Sequence, residues 1–141
     1  MILLDTNVIS ELAKPRADPA VIAWADAQLI ETLHMTSISE AEMLYGVALL
    51  PIGRRRDDLL RAIMTAFTTL LTGRVLPFDS AAATEFAAWA ANRRRAGQSV
   101  GLGNLQIAAI ARARGAAAIA TRNTRDFADC GMPLIDPWRA S

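Results

Sequence analysis

Cysteine, histidine, lysine and tyrosine each occur once in this chain of 141 residues, and aromatic side chains make up only 6% of it. The lone Cys130 excludes an internal disulfide and suits a reducing compartment. His34 has no second imidazole with which to share a metal ion. Lys14, the one lysine, leaves no late lysine for a phosphotransfer receiver, and Asn7 excludes the Asp-x-Asp start of a similar phosphatase. No apolar run approaches the roughly 20 residues that cross a bilayer, and Asp5 interrupts the apolar start too soon for a signal segment. A soluble, cytoplasmic protein with no membrane partner is expected. Charge of one sign is lacking as well: the net +1 carries no global signal for nucleic acid.

What is present is aliphatic. Hydrophobic residues make up 52% of the chain, so Ala, Leu and Ile must build the core of what reads as one domain over residues 1–141. Fourteen of the fifteen basic residues are arginine, six of them in the triplets Arg54-Arg55-Arg56 and Arg93-Arg94-Arg95. Guanidinium forks suit phosphate, although charge triplets at helix ends more often form solvated faces.

The first seven residues organise the rest. Ile2 to Leu4 is a short apolar run that stops at Asp5, and Asp5-Thr6-Asn7 marks a turn into a helix. Asp18-Pro19 is a cap followed by proline at the first helical position, opening a helix whose apolar face is expected to be Val21, Ile22, Trp24, Ala25 and Leu29. Leu33 to Thr36 forms a second strand, with His34 expected near a sheet edge or in the core. Ser39 is expected to cap a helix whose buried stripe is Ala41, Leu44, Tyr45, Ala48 and Leu49, with Glu42 at a capping-box spacing in its first turn. A long amphipathic helix follows through Leu59, Leu60, Ile63, Met64, Phe67 and Leu71. Further strands are expected at Arg74–Phe78, Ala116–Ala120 and Pro133–Ile135, separated by a helix capped by Asp79 and another after Gly101-Leu102-Gly103-Asn104. Trp24, Trp89 and Trp138 are expected in the core. Strands alternating with helices read as α/β, a small, mostly parallel sheet covered by helices on both faces. Ligands of such sheets bind beyond the strand C-termini, where the strand order reverses.

Alone, Asp5 reads as the cap of the next helix. Glu42, Asn104, Asn123 and Asp126, however, arrive from separate elements at the same edge, and caps do not explain so many at once. Carboxylates without His or Cys are hard oxygen donors, suited to Mg²⁺ or Mn²⁺, ions that handle phosphate esters.

Leu-Leu-Asp-Thr-Asn-Val-Ile-Ser at the start, Ser-Ile-Ser-Glu-Ala-Glu-Met-Leu-Tyr-Gly in the middle, and Gln-Ile-Ala-Ala-Ile-Ala then Ala-Thr-Arg-Asn-Thr-Arg-Asp-Phe resemble a PIN domain. The likeness is to VapC-type toxins of type II toxin–antitoxin modules, in the FitB-like branch, and spans nearly the whole chain. It implies a PIN-like three-layer α/β/α fold and a Mg²⁺- or Mn²⁺-dependent endoribonuclease acting on RNA. It also implies a homodimer silenced by a small DNA-binding antitoxin, with DNA reached only through that antitoxin. Residue by residue, the resemblance implies Asp5, Glu42, Asn104 and Asn123 as the catalytic set. Asp5, Glu42, Asn104 and Asp126 are the candidate metal donors, Asp126 falling on an Asp-Phe pair with a structural reading as well. Asn104 departs from the family acid: an amide oxygen can ligate a metal but brings no charge and cannot act as base. A naturally weaker metal site, a degenerate toxin that keeps its partner or binds RNA, and a deliberately neutralised acid are all compatible with the sequence.

Overall fold

Strand, turn and helix follow one another at the first three strands because the apolar runs there lead into Asp5, Thr36 and Asp79, side chains that cap the next helix. The computed structural model describes residues 1–99 and 101–140. The strands are β1 (Ile2–Leu4), β2 (Leu33–Thr36), β3 (Val75–Leu76), β4 (Ala118–Ala120) and β5 (Leu134–Ile135). The helices are α1 (Thr6–Leu12), α2 (Pro19–Asp26), α3 (Ser37–Ala48), α4 (Arg54–Leu70), α5 (Ser80–Arg95) and α6 (Leu102–Ala113). Asp5, Asp18 and Asp79 cap α1, α2 and α5, each accepting a backbone N–H in its helix's first turn. No helix among the described residues is long and apolar enough to cross a membrane.

The sheet order is β3-β2-β1-β4-β5, with every pairing parallel. The chain builds outward from β1 to β2 and β3, then returns to its other side for β4 and β5. The order therefore reverses between β1 and β4, and a crevice opens beyond their C-terminal ends. Alternation sends neighbouring strand residues to opposite layers. Leu4 and Ala120 join Val8, Trp24, Met35 and Phe67 under α1 to α4, while Leu3 and Ile119 join Trp89, Ile107 and Phe127 under α5 and α6. The result is the three-layer α/β/α sandwich expected.

The register of α3 differs from expectation. Thr36, not Ser39, caps the helix, its hydroxyl accepting the N–H of Ser39 at 3.0 Å. Ser39 is thus the third helical residue and Glu42 lies in the second turn, so no capping box joins them. The buried face carries Ser39, Met43 and Val47, while Leu44, Tyr45 and Leu49 are exposed. Both faces of α3 are apolar, and the core takes the narrower one. His34 does not lie at a sheet edge, since β2 runs between β3 and β1; it is half-buried, with Nδ1 3.1 Å from the Thr32 carbonyl. Trp24 and Trp89 are core residues, whereas Trp138 only packs against the core's margin.

Candidate functional site

Asp5 is the last rung of the ladder between β1 and β4: its N–H donates to the Ala120 carbonyl at 2.9 Å. Leu4 pairs with Ala120, so the next residues, Asp5 and Thr121, stand side by side where both strands end. The Thr121 hydroxyl donates to Asp5 Oδ2 at 2.7 Å, and Asn7 Nδ2 donates to the same oxygen at 3.1 Å. The Thr6 N–H donates to Oδ1 at 2.8 Å. Only 3% of Asp5 is exposed. Burial pushes its pKa up, the Thr121 and Thr6 hydrogen bonds oppose the rise, the charge of Asp126 adds to it, and Asn7 opposes it.

Glu42 reaches the same point from α3. Thr6 Oγ1 lies 2.9 Å from Ser39 Oγ and 3.3 Å from Glu42 Oε1, so one hydroxyl on α1 fixes two side chains one helical turn apart. On the far side Gly103 closes in: a Cβ there would stand 3.2 Å from Glu42 Oε1, tighter than ordinary contact. Glu42 is exposed as a residue, yet partial burial of its carboxyl pushes its pKa up, with the Thr6 bond lowering it and the charge of Asp5 raising it.

Asp5, Glu42, Asn104 and Asn123 line one cleft of about 430 Å³, together with Lys14, Arg122 and other residues. Four of the five sequence candidates therefore converge. Asp126 does not line this cleft. It stands behind Asn104, whose Nδ2 donates to Asp126 Oδ2 at 3.3 Å. Among the described residues, no three carboxylate, imidazole or thiol groups are placed to hold one ion together.

Thr6, Ser39, Gly103 and Thr121 join the cluster around Asp5 and Glu42, although from sequence they carry only turn, cap and loop readings or none. Thr121 is fully buried and also accepts the Asn123 N–H at 3.0 Å, so it ties the second strand end to the site. Its signal was its place directly after a short apolar strand, the same place Asp5 holds. Gly103 lacks the positive φ of a turn glycine; its role is close approach, which spacing does not reveal.

The loop beyond Asp126 is held by two arginines. Arg93 Nη1 donates to the Ala128 carbonyl at 2.8 Å, and its guanidinium lies 5.4 Å from the Trp89 ring centroid. Arg112 Nη1 donates to the Cys130 carbonyl at 2.6 Å, while its Nε pairs with Glu85 at 2.9 Å. Arg93 is buried, unlike the solvated triplet member expected.

A model of the PIN-domain family matches residues 2–131. The chain is 44% identical to the VapC ribonuclease Y4jK of Sinorhizobium fredii over 98% of both chains. It is 35% identical to toxin FitB of Neisseria gonorrhoeae, covering 98% of this chain and 99% of that one. A solved structure of FitAB bound to an IR36 DNA fragment aligns at a TM-score of 0.88 and 35% identity, over 100% of this chain and 98% of that one.

Proposed function

The chain belongs to the PIN-domain family, and from that premise we propose that it is the toxin of a toxin–antitoxin pair, a divalent-metal-dependent endoribonuclease. The observation that carries this reading is the convergence of Asp5 and Glu42, with Asn104 and Asn123, on one cleft at the strand-order reversal.

The donor set fits Mg²⁺ or Mn²⁺. These ions bind through one or two carboxylates and keep several waters, so two acids with neighbouring amide oxygens suffice. The absence of three closely placed acids among the described residues argues against an all-protein cage, not against such a half-hydrated ion. Asp5, Glu42 and Asn104 would hold it, with Asp126 setting the orientation of Asn104 through their hydrogen bond. When bound, the ion neutralises phosphate charge and acidifies a water. Asp5 is the fixed ligand, since both of its oxygens are already oriented by Thr6, Asn7 and Thr121. Glu42 has one oxygen engaged by Thr6 and a raised pKa in an open cleft, which suits Oε2 to accept a proton from the attacking water. Asn123 and Arg122 also line the cleft, where they orient the phosphodiester.

An apolar groove of about 600 Å³ between α1, α3 and α4 supports an antitoxin partner. Met43, Val47, Leu59 and Ile63 line it, and it shares Thr6, Ser10, Lys14 and Glu42 with the cleft. An amphipathic segment laid there would close the cleft. DNA contact is assigned to the antitoxin, in keeping with the FitAB–DNA relative. The exposed face of Leu44, Tyr45 and Leu49 supports a second copy as a further partner.

A second reading, a degenerate domain that only binds antitoxin or RNA, is favoured by Asn104, a neutral amide in a cleft whose carboxylates are Asp5, Glu11 and Glu42. RNA cleavage assayed with and without Mg²⁺ or Mn²⁺ separates the two. Cleavage that needs the ion and falls more than about a hundredfold in Asp5→Asn supports the nuclease. Activity undiminished by that substitution at saturating metal would remove Asp5 from the site.

A further inference from the structure

A cleft walled by Asp5, Glu42 and Glu11 against Lys14 and Arg122 is net acidic, and a polyanion needs positive charge beside it to stay. That charge lies next door. Arg122, Asn123, Thr124, Asp136, Trp138 and Arg139 form a second recess of about 570 Å³, which shares Arg122, Asn123 and Trp138 with the first. We propose that this recess is a subsite for one unpaired nucleotide of single-stranded RNA, flanking the phosphate cleaved in the Asp5–Glu42 cleft. The proposal rests on the ribonuclease reading and narrows its substrate to strands with a splayed base.

Four observations carry it. The Arg122 guanidinium lies over the Trp138 ring, 5.0 Å from its centroid. Among the described residues Arg122 makes no salt bridge, and its charge reaches Glu11 only at a distance, so its exposed guanidinium can still meet a ligand. Trp138 is held in place, its backbone N–H donating to Asp136 Oδ1 at 3.0 Å and its ring packed on the core's margin. A half-buried indole topped by a guanidinium is a rigid platform, and unpaired bases stack on aromatic rings and arginine planes alike. Arg139 is 89% exposed and only 3.8 Å from Asp136, a loose pairing that phosphate can outcompete. The recess thus offers a stacking surface and two cations against one acid, and its volume falls in the roughly 300–1,000 Å³ range of small-molecule pockets. A base in a duplex is already stacked on both sides and cannot reach the platform.

Trp24 and Trp89 are buried, so Trp138 is the tryptophan a ligand can quench. Fluorescence titration of the full chain with a short mixed-sequence oligoribonucleotide, in chelator to prevent cleavage, reads binding directly. Saturable quenching is expected, with Trp138→Phe abolishing the signal and Arg122→Gln, at an exposed position, weakening binding roughly ten- to a hundredfold. A blunt duplex of equal length should bind at least about tenfold more weakly. Quenching that survives Trp138→Phe, equal binding by Arg122→Gln, or equal affinity for the duplex would overturn the subsite. Metal-dependent cleavage with an unchanged KM in Arg122→Gln would sink the subsite alone. Single-strand binding without cleavage at any divalent concentration would sink the ribonuclease reading and leave the subsite standing.

Discussion

A buried carboxylate is tolerable only when its oxygens are paired, and for Asp5 that duty falls chiefly on Thr121. Thr121→Val keeps the shape and removes the donor at 2.7 Å from Oδ2. The loss should cost about 1.5–3 kcal/mol, the range for a hydrogen bond to a charged group, read as a lower urea midpoint with an unchanged m-value. A midpoint equal to that of the parent would show that Asp5 does not depend on this bond. Asn104 poses the converse case. Asn104→Asp would set a second carboxylate against Asp126, where an amide now donates at 3.3 Å. Like charges at that distance destabilise the metal-free fold but raise cation affinity, which follows ligand charge. The expected outcome is a lower metal-free Tm, a roughly tenfold or greater gain in Mg²⁺ affinity by calorimetry, and faster RNA cleavage. Unchanged affinity would show that position 104 is no ligand.

At the scale of elements, the turn Thr124–Phe127 and the loop after it are fixed by arginines from two different helices. Arg93 on α5 holds the Ala128 carbonyl and Arg112 on α6 holds that of Cys130. Gly131 allows this: its φ is +78°, and a Cβ there would run into Arg112 Nη1. Arg112→Met should keep the stem's packing and release the loop, with amide exchange across residues 124–131 accelerating at least about tenfold while the strands are unaffected. Exchange spread evenly over the molecule would instead mean a general loss of stability. Such clamps were not legible in the sequence, where arginine triplets read as solvated faces. The phase of α3 was not legible either: Leu44, Tyr45 and Leu49 follow helical spacing as well as Met43 and Val47 do, and periodicity alone cannot say which face meets the sheet. What could be read was whatever depends on neighbours in the chain: the run Ile2–Leu4 ended by Asp5, the caps Asp18 and Asp79, the strand at Leu33–Thr36. The pairing of Leu4 with Ala120, which sets Thr121 beside Asp5, is long-range and leaves no local trace.

For the molecule as a whole, site and stability pull in opposite directions, and pH exposes the conflict. Burial holds the Asp5 carboxyl above its ordinary 3.8 and the Glu42 carboxyl above its ordinary 4.5. Between each ordinary value and the raised one, the folded chain keeps a proton that the unfolded chain has released. Stability from these two groups is therefore fully present below the ordinary values and is lost as pH rises through the raised ones. Glu11 works the other way, because its hydrogen bonds to Lys14 and the Asp18 N–H lower its pKa and contribute stability lost on acidification. The difference between the parent and Glu42→Gln isolates the Glu42 contribution. Calorimetry without metal, from about pH 4 to about pH 8, should show the parent losing Tm relative to Glu42→Gln as pH rises above 4.5. An ion held as proposed would favour the ionised carboxylates, so the same scan with Mg²⁺ should reverse the trend, the gain approaching about 2.7 kcal/mol at a hundredfold excess over Kd. Parallel curves for parent and Glu42→Gln, with and without metal, would separate Glu42 from both the pH response and the ion.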